Sequence, residues 1–266
     1  MKILISNDDG VHAEGIHALF RELSRDHDCI IVAPERERST TGHSLTLHKP
    51  LRLHKVAKKI YSVSGGPADC VLIALNEIYR GRKPDLVISG INRGANLGQD
   101  VFYSGTASAA REGANQDIPS VAVSLSLDFA KAGAKEHYAT AAKYLRRALD
   151  RTLPLLAGGA KGWKPALKKW HSGLMLNVNV PNLPLARVKG IRPATQGYRI
   201  YGASLLKRTD FRGRDYFWIG GTYQGYKNIK ESDCWYVDRG YVSVTPLELD
   251  TTMKDVYLEL KGAWRD

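Results

Sequence analysis

Short apolar runs alternate with amphipathic stretches through the first half of the chain. Four apolar runs are bounded by turn residues and predict buried β-strands, at residues 2–6, 29–33, 85–89 and 120–124. Four further stretches predict helices, at residues 14–26, 68–79, 106–115 and 134–149. Strands that alternate with helices form βαβ units, so the pattern predicts an α/β fold with a mostly parallel sheet.

The second half of the chain has a different pattern. Residues 174–180 predict one more strand, which Pro181 ends. From residue 191 to about 244 the sequence is aromatic, Gly-rich and alternating, which predicts β-hairpins that carry exposed aromatic side chains. Two interpretations stay open: a small antiparallel subdomain over its own core, or an arm that buries its aromatics against another subunit.

Composition narrows the class of partner. The chain has 266 residues, of which 43% are hydrophobic, and this is enough for a substantial core. Lys and Arg number 39 against 27 Asp and Glu, which gives a formal net charge of +12. A positive surface attracts phosphorylated small molecules or nucleic acid. The sequence has no basic block with interleaved aromatics, so its charge fits an anionic substrate better than RNA.

The cysteines and the apolar runs indicate a cellular compartment. Cys29, Cys70 and Cys234 are odd in number, far apart and without CxxC spacing, so a disulfide framework or a zinc site is not expected. The N-terminal apolar run is too short for a signal peptide, and no stretch reaches the ~18 apolar residues of a membrane span. We therefore expect a cytoplasmic protein in a reducing environment.

The first candidate site directly follows the first predicted strand, in the run Ser6-Asn7-Asp8-Asp9-Gly10. The adjacent carboxylates of Asp8 and Asp9 repel each other unless a cation neutralises them, and oxygen-rich clusters suit Mg²⁺ or Mn²⁺. The same run is also good turn chemistry. The buried strand that precedes it favours a site over an ordinary turn.

This run also argues against two other sites. A dinucleotide-binding fold needs the glycine fingerprint GxGxxG here, whereas two carboxylates would repel a pyrophosphate. Phosphatases with an aspartyl-phosphate intermediate place two aspartates at i and i+2, and the corresponding pair here is Asn7 and Asp9. An amide is no nucleophile, so a covalent route is disfavoured, although Asp8 stays open to test.

Three later loops carry further polar side chains. Each is expected at the carboxyl edge of the predicted sheet or at a helix start, and each contains hydroxyl, amide or glycine positions that suit an anion, at residues 36–44, 89–98 and 103–110. In the third loop Ser104, Gly105 and Thr106 open a helix, whose free N–H groups form a natural phosphate seat. Simple N-capping by Ser104 or Thr106 is the alternative.

Taken together, these segments resemble the SurE family, the stationary-phase survival proteins that are 5′/3′-nucleotidases. The matching motifs occur in the family's order across nearly the whole chain, at residues 3–10, 33–39, 66–71, 89–96, 103–106 and 240–247. Two departures are Gly66, where threonine is expected, and residues 151–171, which do not align and are interpreted as a surface insertion.

The resemblance implies a metal site and a phosphate site. A divalent cation, Mg²⁺ or Mn²⁺ and one per subunit, would be held by oxygen ligands from Asp8, Asp9, Ser39 and Asn92. The substrate phosphate would be held by Asn96, Ser104, Gly105 and Thr106. With Asp8 and Asp9 as the catalytic carboxylates, the implied reaction is direct hydrolysis by a water molecule that the metal activates.

The resemblance also implies an architecture. It predicts a single domain over residues 1–266, with a Rossmann-like three-layer core and a mostly parallel sheet. Residues of about 191–244 would form a protruding C-terminal β-hairpin arm, and residues 250–266 a C-terminal segment exchanged between subunits. The expected assembly is therefore a homodimer or a homotetramer.

The sequence hypothesis is a cytoplasmic 5′-nucleotidase that hydrolyses nucleoside 5′- and 3′-monophosphates, and in some relatives short polyphosphate. No membrane or nucleic-acid partner is required. The alternative is a non-catalytic, basic nucleotide- or RNA-binding protein, motivated by the net charge of +12. It predicts salt-sensitive nucleic-acid binding without metal-dependent phosphate release.

Overall fold

The computed structural model describes residues 1–127, 133–156, 163–202 and 204–264. The strands are β1 (Lys2–Ser6), β2 (Asp28–Pro34), β3 (Leu53–Ala57), β4 (Ile60–Val63), β5 (Leu86–Arg93), β6 (Ser120–Ser126), β7 (Leu174–Pro181), β8 (Ile191–Pro193), β9 (Arg199–Tyr201), β10 (Ser204–Thr209), β11 (Asp215–Gly220), β12 (Tyr223–Tyr226) and β13 (Val242–Glu248). The helices are α1 (Glu14–Leu23), α2 (Pro67–Ile73), α3 (Gly105–Asn115), α4 (Tyr138–Leu156), α5 (Trp163–Leu167), α6 (Asp233–Asp238) and α7 (Lys254–Ala263).

One large sheet organises the fold. Nine of these strands pair in the order β3-β4-β2-β1-β5-β6-β7-β13-β8. Those from β4 to β7 in that order are parallel, whereas β3 and β13 run antiparallel to their neighbours. The chain moves outward from β1 to β2 and β4 and then returns to β5, so the strand order reverses between β1 and β5. Ligands of open α/β sheets bind beyond the carboxyl ends of strands at such a reversal.

Helices cover both faces of this sheet and complete a three-layer core. Alternate residues of β1 point to opposite faces, as the period of a strand requires. Ile3 and Ile5 are buried in one cluster with Leu19 of α1 and with α4. Leu4 is buried in the other cluster, with Val71 of α2 and with α3. The α/β fold with its Rossmann-like core and mostly parallel sheet is as predicted.

Strand β5 is longer than its pattern predicts, and the extra length carries a site residue. We predicted a strand over 85–89, but β5 continues to Arg93 through a bulge between Ser89 and Asn92. Gly90 adopts a φ of 136°, and a Cβ there would lie 2.2 Å from the carbonyl oxygen of Val123. Glycine therefore permits the bulge, which turns the end of β5.

The aromatic region contains antiparallel hairpins, in agreement with the predicted arm. Strands β10 and β11 pair from Ser204↔Gly220 to Thr209↔Asp215, and β9 pairs with β12. The predicted range of about 191–244 is wider than these hairpins, because β8 and β13 join the large sheet. Helix α6 also lies within that range. The hairpins themselves thus span residues 199–226.

The C-terminal segment, predicted over 250–266, contains the exposed helix α7, and its last two residues lie outside the described ranges. In the predicted insertion over 151–171, α4 extends to Leu156 and α5 follows, while residues 157–162 lie outside the described ranges. All three cysteines are free and buried. None of the helices in the described ranges has the length and apolar character needed to cross a bilayer.

Candidate active site

The loop after β1 is a turn that Asn7 holds closed. The Asn7 amide nitrogen donates to the carbonyl oxygen of Gly10 at 2.9 Å, and the Gly10 N–H donates back to Asn7 Oδ1 at 3.2 Å. Two backbone bonds tie this turn to the loop after β2, from Val11 N to Pro34 O at 2.8 Å and from Arg38 N to Asp8 O at 2.7 Å. The turn interpretation and the site interpretation therefore both apply to this run, with Asn7 serving the turn.

Asp8 is buried against the start of α3. Its side chain is in a residue only 4% exposed, and Thr106 Oγ1 donates to Asp8 Oδ1 at 2.5 Å. Burial raises the pKa of Asp8, and the hydrogen bonds from Thr106 oppose the rise. Gly105 makes this close approach possible, because a Cβ there would lie 2.7 Å from the Asp8 Cβ.

Asp9 is the second carboxylate of the pair. Burial and the negative charge of Asp8 raise its pKa to about 7, while a hydrogen bond from the Arg93 N–H to Asp9 Oδ2, 3.0 Å long, acts in the opposite direction. The carboxylate of Glu37 raises the pKa of both residues. Two acids held this close resist ionisation together, and a bound cation would relieve the repulsion.

Ser39 follows Arg38 in the loop after β2. Its Oγ donates to Glu37 Oε1 at 2.6 Å, so the lone pairs of the hydroxyl oxygen remain available to another group. The backbone bond from Arg38 to Asp8 fixes this loop beside the loop after β1. Ser39 and Asp8 line the same pocket.

Two buried carboxylates hold the rest of this loop. His43 Nε2 lies 2.8 Å from Glu112 Oε2 on α3. Asp69 on α2 accepts hydrogen bonds from the N–H and the hydroxyl of Thr46, at 2.9 Å and 2.7 Å, and a third from the Gly66 N–H at 2.8 Å. Helices on one face of the sheet thereby anchor a segment that has no regular secondary structure, and His43 and Asp69 gain a structural role.

The end of β5 and the loop after it supply the two asparagines. Asn92 Nδ2 donates to the carbonyl oxygen of Gly94 at 2.9 Å, which leaves its amide oxygen for a ligand. Asn96 Nδ2 donates to Ser124 Oγ at 2.8 Å. The backbone of Asn96 is bonded on both sides, because its N–H donates to Asn179 and its carbonyl oxygen accepts from Asn177 and Asn179. Asn96 is therefore rigidly positioned.

Ser104 caps the N-terminus of α3. Its Oγ accepts a hydrogen bond from the Ala107 N–H at 3.0 Å, so its own hydroxyl hydrogen is free to donate. Both predicted roles are thus compatible here, N-capping and anion binding. Thr106 differs, since its hydroxyl is committed to Asp8.

The candidate residues meet at one pocket of about 640 Å³. Five of the eight predicted residues line its wall: Asp8, Ser39, Asn92, Asn96 and Ser104. The other three contact wall residues, since Gly105 and Thr106 lie against Asp8 and Asp9 accepts a hydrogen bond from Arg93. We call this cavity the phosphate pocket.

The phosphate pocket also contains residues that the sequence interpretation missed. Arg199 and Tyr201 of β9 reach it from the base of the hairpins. Arg199 Nη1 lies 2.6 Å from Asp100 Oδ2, and the Tyr201 hydroxyl donates to the same oxygen at 2.5 Å. Asp100 lies in a short 3₁₀ turn just before Ser104. The pairs are about a hundred residues apart, and only a tertiary contact joins them.

The donor set suits a hard divalent cation. It consists of two carboxylates whose pKa values are raised, the free amide oxygen of Asn92 and the hydroxyl of Ser39. Within the described ranges no group of three or more His, Cys, Asp or Glu side chains is arranged to hold a metal ion. A ligand set with two carboxylates, one amide and one hydroxyl does not meet that criterion, so the two findings are compatible.

A parallel sheet with an oxygen-lined pocket at its strand-order reversal defines a Rossmann-like α/β protein of the ligand-binding class. The family model described as "Survival protein SurE" matches residues 3–203. The chain belongs to the SurE family, as its motifs predicted.

Relatives extend this match over nearly the whole chain. The 5′-nucleotidase SurE of Geobacter sulfurreducens is 43% identical over 95% of this chain and 89% of its own length. The 5′-nucleotidase SurE of Vibrio cholerae is 42% identical over 95% of this chain and 93% of its own length. The crystal structure of the SurE protein from Aquifex aeolicus is 37% identical, covers 100% of both chains and has a TM-score of 0.82.

The raised pKa of Asp9 predicts an unusual pH dependence of stability. The pKa is about 7 when folded and 3.8 ordinarily, so the metal-free folded state binds more protons between these values. The free energy of unfolding should therefore fall as the pH rises from about 4 to 7 and stay low above it. Asp9→Asn should remove this fall, on the order of 1–3 kcal/mol after allowance for solvent screening.

Urea unfolding in EDTA, at pH 5 and at pH 8, measures the effect for both proteins. The same change of stability with pH in the wild type and in Asp9→Asn would contradict the prediction.

Proposed function

We propose that the protein is a metal-dependent phosphomonoesterase that hydrolyses nucleoside 5′- and 3′-monophosphates to nucleoside and phosphate. The observation that carries this proposal is the phosphate pocket, where Asp8, Ser39 and Asn92 from three separate loops converge beside the N-terminus of α3. The relatives named 5′-nucleotidase support the substrate class.

Asp8, Asp9, Ser39 and Asn92 would hold one divalent cation per subunit, Mg²⁺ or Mn²⁺. When bound, such a cation neutralises charge on a phosphate oxygen and makes a water molecule a better nucleophile. Asp8 and Asp9 would share the remaining task of accepting a proton. Asp8 Oδ1 and Asp9 Oδ2 already accept hydrogen bonds from the protein, so the proton acceptor is an oxygen of this pair that the cation leaves free.

The phosphate would lie against Asn96 and the start of α3. The Ser104 hydroxyl can donate to it, and the Gly105 N–H belongs to the first turn of the helix, where a partial positive charge favours anions. Thr106 contributes by fixing Asp8. The bonds that hold Asn96 in place would preserve its geometry through the reaction.

Two rival functions make different predictions. A covalent route would leave a phosphorylated Asp8, which rapid-quench labelling detects. A non-catalytic nucleotide- or RNA-binding protein would bind nucleic acid in a salt-sensitive way and release no phosphate. The buried acidic pair favours hydrolysis, because a binding site for nucleic acid has no use for carboxylates at its centre.

Removal of a carboxylate tests the proposed function. Asp9→Ala should lower kcat for AMP by about 100-fold or more, because it removes both a cation ligand and a candidate proton acceptor. Phosphate release is measured after EDTA treatment, without metal and with Mn²⁺ or Mg²⁺ added back. Asp26→Asn is the control, since Asp26 pairs with Arg146 on the surface outside the pocket wall. Near-normal turnover by Asp9→Ala with Mn²⁺ would remove this mechanism.

We further propose that the hairpins and α7 mediate assembly into a homodimer or homotetramer in the cytoplasm. Strand β11 exposes Trp218 and Ile219, the latter to 92%, and the turn before it exposes Phe211 to 92%. Helix α7 also exposes apolar residues and buries none. Exposed apolar surface of this extent is typical of a protein–protein contact. The arm interpretation of the aromatic region is therefore favoured over a separate subdomain with its own core.

A charge on the hairpin tests the assembly. Ile219→Asp should shift the protein toward monomer, because a buried unpaired carboxylate destabilises an apolar interface. Light scattering coupled to size-exclusion chromatography measures the mass. Lys207→Glu is a control on the same hairpin, since it changes a charge on a partly exposed residue rather than on the apolar surface. An unchanged mass for Ile219→Asp would contradict the proposed interface.

A further inference from the structure

A second pocket of about 530 Å³ adjoins the phosphate pocket. It lies between the loop after β5, strand β12 and helix α6. The two pockets share three wall residues, Ala95, Leu127 and Arg199. Any ligand whose phosphate lies beside Asp8 can therefore extend past Arg199 into this second space, which we call the adjoining pocket.

The walls of the adjoining pocket differ in chemistry from those of the phosphate pocket. Leu97 and Val237 are buried in one apolar cluster, against which the Tyr226 ring packs. Polar side chains, Ser126 and Thr222 among them, form a minority of the wall. An apolar cavity with a few polar groups suits a flat heteroaromatic ring that carries hydrogen-bonding edges.

The charges of the adjoining pocket argue against a second anionic group. Among the described wall residues Arg199 is the one cation, and it is already paired with Asp100 at 2.6 Å. Its guanidinium also lies over the Tyr223 ring, 4.2 Å from the ring centroid. Asp238 adds a carboxylate to the same wall. The adjoining pocket therefore favours an uncharged part of a substrate.

The aromatic side chains of the phosphate pocket are less suited to a base. Lys227 Nζ lies 4.0 Å from the centroid of the Tyr198 ring, so one face of this ring is covered. Tyr201 is held by its bond to Asp100 and lies beside Tyr223, with the ring centroids 5.9 Å apart. The Tyr226 hydroxyl is bonded to Asp238 at 2.9 Å, which fixes its ring at the wall of the adjoining pocket.

We infer that the adjoining pocket receives the base, with part of the ribose, of a nucleoside monophosphate whose phosphate lies in the phosphate pocket. Tyr226 and Val237 form its apolar wall, and Arg199 marks the boundary between the two halves of the substrate. This inference rests on the proposed function. It assigns base recognition to the loop after β5 and to the β12–α6 region.

Comparison of two substrates tests the inference, because ribose 5-phosphate lacks only the base of AMP. Tyr226→Ala should lower kcat/KM for AMP about 10-fold, mainly through KM, which corresponds to ~1.4 kcal/mol. The value for ribose 5-phosphate should stay within about twofold, since that substrate leaves the base site empty. Tyr241→Ala is the matched control, because it removes a ring from the same region but lines neither pocket.

Val237→Phe is a second variant, which fills the adjoining pocket from another wall and should lower AMP selectivity in the same way. Equal losses for both substrates, or unchanged selectivity in both variants, would overturn the inference. Calorimetric titration with adenosine separates the two hypotheses. If the wild type hydrolyses neither substrate after metal is added back, the proposed function fails. Adenosine binding that both variants weaken about 10-fold would still support the pocket, and equal binding by all three proteins would overturn it.

Discussion

The repulsion between two adjacent carboxylates at the end of β1 is the constraint on which this site depends. Asp8 is buried against α3, and Asp9 takes a hydrogen bond from the backbone at the end of β5. Neither position lets the pair escape into solvent, so burial and mutual charge raise both pKa values. The fold therefore holds a site whose charged form requires a cation, and this gives the oxygens of Ser39 and Asn92 a chemical purpose.

The sheet explains how residues far apart in sequence reach this point. Strands β1 and β5 pair in parallel with Ser6 opposite Ser89, so the chain leaves both strands at the same edge. The bulge at Gly90 turns the end of β5, and the backbone bond from Arg38 to Asp8 adds the loop after β2. Buried acids on α2 and α3 fix that loop further along. The scaffold is thus rigid where the chemistry needs fixed positions.

The sequence was informative where a local pattern carries the structure. Alternating apolar runs predicted the parallel sheet, and the run at Asp8 and Asp9 predicted a site at its carboxyl edge. The contacts of Asp69 with Thr46 and of Arg199 with Asp100 were not predicted, because they join segments about 20 to 100 residues apart and leave no local periodicity. Strand β13 was hidden for a related reason, since it lies at the end of the aromatic alternation that predicted hairpins and pairs with the distant β7.

The central claim is that oxygens from three loops share one cation, and an anomalous diffraction map of crystals soaked in Mn²⁺ tests it most directly. The account predicts one strong anomalous peak per subunit, within ligand distance of both carboxylates at the end of β1 and of Ser39 and Asn92. A peak at another place, or none beside Asp8 and Asp9 in crystals from catalytically active protein, would contradict it.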